Sequence, residues 1–187
     1  MKTSLWTACS AVAALAALGL ATPASAGHEN IVLETSLSGR AEVASGSRDN
    51  RIVGDPRGRG EAYVFGIDGD SRTICYVLLV ERIGELDLPP GNGRQAHIHR
   101  GRPGQNGPVV VNLAWPQDGR AADCISEDRI LPNGAPAFAR DPSTGALRAT
   151  AAEILMHPEQ FYINVHNQEY PAGAVRGQLK DTLDHGH

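Results

Sequence analysis

"GEAYVFGIDGDSRTICYVLLV", residues 60 to 80, is the stretch on which the reading of the whole chain turns. Two runs rich in β-branched and aromatic residues flank Asp68-Gly69-Asp70, a turn signal at which an antiparallel hairpin reverses. The second run, Thr73 to Val80, is apolar on both faces, as expected of a central strand covered on each side.

The same signature recurs outward from this hairpin. Strands are predicted near residues 30–39, 60–67, 72–83, 95–99, 108–114, 121–126, 161–166 and 174–180, separated by clusters of Gly, Pro, Asn and Asp. Helical periodicity is nearly absent, which points to an all-β fold, an antiparallel β-sandwich with one short helix. For that helix, Thr150 and Glu153 fit a capping box, Ile154, Leu155 and Met156 follow, and Pro158 stops it. Residues 44–59 and 132–146 read as long polar loops, and no repeat or linker divides the chain.

The N-terminus reads as a secretory signal peptide over residues 1–26. Lys2 precedes a short apolar run, Ala8 to Ala21, and Ala24-x-Ala26 is a small-residue cleavage site. The run is too short to remain as a spanning helix. Cleavage leaves residues 27–187 as a single domain with a core about 31–180 and a short frayed tail at 184–187. Export to the periplasm or beyond the cell is therefore expected, with no transmembrane segment after cleavage. The formal net charge of the 187-residue chain is −4, and this mild acidity argues against a nucleic-acid partner.

Of three cysteines, Cys9 lies in the signal segment. Cys75 and Cys124 remain, and in an oxidising compartment a Cys75–Cys124 disulfide is the default over two buried thiols. Such a bridge stabilises by about 3–4 kcal/mol in the chain-entropy model.

Side chains on a strand alternate between faces. In "AHIHR" (96–100), His97 and His99 share one face, with Ile98 on the other. In "FYINVHN" (161–167), His166 shares a face with Asn164 and Tyr162. In "AVRGQLK" (174–180), Arg176, Gln178 and Lys180 share one. If these strands are neighbours, His97, His99 and His166 converge beside Arg176. Three neutral imidazoles suit copper first and zinc second, with a coordination position left open. Against this stands the reading of ordinary surface histidines, which is how His28, His157, His185 and His187 are read. Ser38, Ser71, Ser126 and Ser143 lie in no nucleophile-elbow pattern, so hydrolysis is set aside.

Three segments carry a resemblance: "LSGRAEV" (37–43), "AHIHRGRPGQNGPVVVNL" (96–113) and "FYINVHNQEYPAGAVRGQL" (161–179). Together they resemble the CHRD domain, first described in chordin and common in exported bacterial proteins. The chain departs from that pattern at Ala44-Ser45-Gly46, where the family usually has a proline, and at Gly173-Ala174-Val175, where it often has a carboxylate beside the arginine. The resemblance implies a Greek-key sandwich, immunoglobulin-like or superoxide-dismutase-like, and a non-catalytic module acting in binding or envelope architecture. Its partner, a protein or an envelope component, is not identified by the residues.

A weaker similarity is to copper/zinc superoxide dismutases, which also combine an HxH strand, a later strand histidine and an arginine. It implies the alternative of a copper-dependent oxidoreductase in which Arg176 steers a small anion. The bridging histidine and zinc-site aspartate of those enzymes have no counterpart in the chain. Glu42 is expected to reach Arg176 as an ion pair across the sheet. Trp115 is expected at the edge of the core, with an exposed docking role as the alternative. Gly101, Gly107, Gly173 and Gly177 are expected to permit turns and close strand packing.

Overall fold

The computed structural model describes residues 31–44, 53–84 and 96–182. The expected signal peptide, His28, Gln95 at the start of one predicted strand, part of the 44–59 loop and the tail at 184–187 lie outside the described residues. Among the described residues the strands are β1 (Val32–Ser38), β2 (Arg59–Ile67), β3 (Asp70–Glu81), β4 (Ala96–Arg100), β5 (Val109–Asn112), β6 (Arg120–Ser126), β7 (Phe161–Val165), β8 (Val175–Gln178) and β9 (Lys180–Asp181), with one α-helix, α1 (Ala151–Met156).

All strand pairs are antiparallel, in the order β5-β4-β7-β8-β1-β2-β3-β6, with β9 also on β1. Strands β1, β2 and β3 run as consecutive neighbours, and β8 returns late in the chain to lie beside β1. That spatial order is a Greek key. The two sides of the sandwich are thus one continuous curled sheet, joined where Ser38 of β1 pairs with Arg176 of β8.

The founding hairpin forms as its sequence dictates. Gly69 takes the left-handed φ of +78° that the β2–β3 turn demands, and the register slips between Gly66 and Ile67. Ile74, Tyr76, Leu78 and Val80 of β3 point inward with Leu33, Leu37, Ala62 and Val64 of β1 and β2, facing Ile98, Val110, Ile163 and Val175 from the other half. The Tyr76 hydroxyl accepts the Ala114 N–H at 2.6 Å, a polar tie between the halves.

The outer face of β3 is covered less than its apolar run suggests. Cys75 is buried, but Leu79 is 38% exposed, on a strand that is next to the edge strand β6. Cys75 and Cys124 are directly opposed in the β3–β6 register and are joined as a disulfide.

Helix α1 buries Ala151, Ile154 and Leu155 against β2 and β3. Only half of the expected capping box forms. The Thr150 hydroxyl accepts the Glu153 N–H at 3.0 Å, while the Glu153 carboxylate pairs with Arg100 at 2.7 Å. A different donor, the first helical N–H of Ala151, bonds the buried carboxylate of Glu127 at 2.9 Å.

The 132–146 segment is more than a polar connection. Asn112 donates to the Ala137 carbonyl and Ala139 to that of Val110, so the segment runs along the outer edge of β5, and Phe138 is fully buried. In the 44–59 region, Asp55 is buried and its N–H bonds the Ala174 carbonyl, packing the described part of that loop onto the β1–β8 join.

Candidate metal centre

The inward residues of β4 and β7 determine where the polar ones go. Ile98, Phe161, Ile163 and Val165 are fully buried in the core, and the two-residue alternation sends His97, His99, Tyr162 and Asn164 to the opposite face. The register completes two cross-strand rows, His97–Asn164–Arg176 and His99–Tyr162–Gln178. His166 follows directly on the end of β7, in phase with Asn164.

Three imidazoles are thereby brought together. One donor atom from each of His97, His99 and His166 lies within 4.8 Å of the others, and the ring centroids are 5.1 to 6.2 Å apart. Three donors spread evenly around one ion with bonds of about 2.0 Å stand about 3.3–3.5 Å from one another, so side-chain shifts that close the set by about 1.5 Å bring it to bonding distance.

Hydrogen bonds prepare two of the rings. His99 Nδ1 is 2.9 Å from the Gly107 carbonyl, and His166 Nδ1 is 3.1 Å from the Pro171 carbonyl. A carbonyl only accepts, so each Nδ1 carries the proton and each Nε2 keeps its lone pair. Both Nε2 atoms are buried and have no hydrogen-bond partner among the described residues. Burial pushes the His99 pKa down to about 4, partly offset by the Gly107 hydrogen bond and reinforced by the nearby His166 and Arg176. Burial lowers that of His166 as well. Neutral imidazole is the form that binds a metal.

The turn carrying Pro171 is held by Asn167. This residue is buried, donates to the Ile83 carbonyl and accepts the Tyr170 N–H at 2.7 Å.

Arg176 sits differently from what anion steering needs. It is 2% exposed. Its guanidinium donates to the Gln105 carbonyl at 2.7 Å, to Asn106 Oδ1 at 3.0 Å and to the Arg102 carbonyl at 3.4 Å. It lies 3.4 Å from the centre of the Tyr162 ring.

Glu42 does not form the expected ion pair. Asn164 donates to it at 3.4 Å, and no pair with Arg176 falls within 4.0 Å among the described residues. Burial raises the Glu42 pKa to about 7 against the pull of Arg176 and Asn164. Its carboxylate packs on Gly173, where a Cβ would stand 2.5 Å from Oε1. Trp115 is at the core edge, 38% exposed, and His157 is exposed.

Tyr162, Asn106 and Asn167 are the supporting residues that sequence reasoning did not single out. The phase of Tyr162 on the His166 face was a usable signal. Asn106 and Asn167 touch partners 63 to 84 positions away, and nothing local marks them.

Comparison with known proteins adds one finding. The family model described as the CHRD domain matches residues 33–179, most of the chain and every strand that builds the site. No curated protein and no solved structure matches the chain.

Proposed function

Because the chain belongs to the CHRD domain family, we propose that it is an exported, non-catalytic module that holds a copper ion on His97, His99 and His166. The observation that carries this reading is the pair of buried Nε2 atoms, each on a ring whose other nitrogen is committed to a backbone carbonyl. Leaving polar atoms buried and unpaired costs about 1–3 kcal/mol each, a cost that a bound cation would reverse. An all-imidazole set, with neither thiolate nor carboxylate among the three donors, suits copper first and zinc second.

Export is supported by the signal-like N-terminus and by the Cys75–Cys124 disulfide, which an oxidising compartment maintains. No helix among the described residues is long and apolar enough to cross a membrane. The partner that the module serves is a protein or envelope component. A dismutase-like role would need a cation open to an incoming anion, and Arg176 is buried with both terminal nitrogens hydrogen-bonded to the 102–106 segment.

The test is metal stoichiometry of the untagged mature protein with Cu(II) spin resonance, set beside a His97→Ala/His99→Ala/His166→Ala variant. One copper per chain with nitrogen hyperfine structure, lost in the variant, is the expected outcome. Equal copper content in both proteins, or none in either, would overturn the reading. Superoxide turnover well above that of free copper would move the assignment to the oxidoreductase alternative.

A further inference from the structure

Arg176 is a buried cation with no ion pair within 4.0 Å among the described residues, a poor return for the cost of taking a guanidinium out of water. What it does have is a set of three acceptors in one short segment, Arg102 to Asn106, that begins three residues after His99 and ends one residue before Gly107. Gly107 supplies the carbonyl that His99 Nδ1 meets. The guanidinium fork therefore grips the segment that leads directly into the carbonyl that sets the proton on His99.

Tyr162 joins the two ends of this arrangement. Its ring stacks on His99 with centroids 4.8 Å apart and planes 9° from parallel, and it carries the Arg176 guanidinium at 3.4 Å. Two flat groups at those distances cannot share one face of a ring, so Tyr162 is sandwiched between His99 and Arg176. Its hydroxyl accepts the Gly107 N–H at 3.2 Å. Asn106, besides accepting from Arg176, donates to the Val43 carbonyl at 3.0 Å, which fastens the segment to the chain beyond β1.

We infer that Arg176 and Tyr162 are positioning residues for His99. They hold the 102–107 segment so that the Gly107 carbonyl keeps the His99 proton on Nδ1 and reserves Nε2 for a metal ion. The inference rests on the three-histidine metal reading for its purpose, but the tautomer it specifies belongs to the metal-free protein and is measured there.

The experiment uses the full mature chain. Long-range proton–nitrogen correlation of the histidine rings reads the tautomers without metal, and competition titration reads Cu(II) affinity. The wild type is expected to hold His99 as the single Nδ1–H tautomer. Arg176→Lys, which keeps the charge but cannot fork across three acceptors, is expected to give mixed tautomers at His99 with His166 unchanged. Its Cu(II) affinity should fall about 10- to 100-fold, the usual cost of losing a residue that orients a ligand. Tyr162→Phe conserves the ring and nearly all the volume and removes only the acceptor for Gly107. It is expected to shift both readouts in the same direction by less, and it carries the test if Arg176→Lys does not fold.

Folded variants in which His99 stays wholly Nδ1–H would overturn the inference, whatever their melting temperatures. A wild type that takes no copper, while the tautomer still moves in both variants, would remove the metal reading and leave the positioning role standing. Full copper binding with unmoved tautomers would do the reverse.

Discussion

At the scale of single residues, buried ionisable groups set the pH behaviour. Burial raises the folded-state pKa of Glu42 from 4.5 to about 7. The folded chain holds a proton that the unfolded chain releases, so this contribution is fully present below pH 4.5 and is lost as pH rises through 7. His99 has the opposite sign. Its folded pKa of about 4 lies below the ordinary imidazole value of 6.5, so stability falls as pH drops across that interval. Glu42→Gln removes the first effect alone. In urea unfolding it is expected to match the wild type near pH 4.5 and to exceed it at pH 8 by on the order of 2–3 kcal/mol. Equal stability of the two proteins at pH 8 would mean that Glu42 ionises in the fold at no cost. The phase of the three histidines was legible in the sequence because it depends only on the alternation of side chains along a strand. The failure of Glu42 to pair with Arg176 was not, because three carbonyl and amide oxygens from another segment take the guanidinium first.

At the scale of elements, the edge strand β6 is the one held by a covalent bond. It pairs with β3 along one side only in the strand order, and Cys75–Cys124 ties the two where they are directly opposed. A Cys75→Ser/Cys124→Ser variant is expected to lose about 3–4 kcal/mol, read from its urea midpoint, with the fastest amide exchange appearing in β6. A loss below about 1 kcal/mol would show that the ladder alone secures the edge. Eight strands, the founding hairpin and the single helix were all readable from turn residues and local propensity. Two features of the elements were not. The Glu153 carboxylate leaves its capping box for Arg100 of β4, and Glu127 takes a different N–H, that of Ala151, at the helix start. The 132–146 segment, polar by composition, is drawn in along β5 because Phe138 reaches the core. Both outcomes depend on neighbours that are distant in the chain.

At the scale of the whole molecule, the two halves of the sandwich meet at a narrow join between β1 and β8. Gly177 stands there because β1 passes too close for a side chain: a Cβ would be 2.6 Å from the Ser36 carbonyl oxygen and would also meet Thr35 Oγ1. Backbone cannot rotate away as a side chain can. Gly177→Ala is therefore expected to cost about 1–3 kcal/mol by overpacking and to lower Cu(II) affinity, since it displaces the neighbouring Arg176. Unchanged thermal unfolding would mean that the join yields more freely than its spacing indicates. By itself the sequence determined the all-β class, the places of the first eight strands, the disulfide partners and the face on which His97, His99 and His166 lie, because these follow from local alternation, turn chemistry and cysteine count; it did not show that the 174–180 run divides into β8 and β9. Only the tertiary structure decided that β4, β7 and β8 are neighbours, that the sandwich is one curled sheet, and that Arg176 grips a loop instead of facing solvent. Strand pairing is a choice among many segments of similar hydrophobicity, and it is made by the fit of the whole core and not by any one of them.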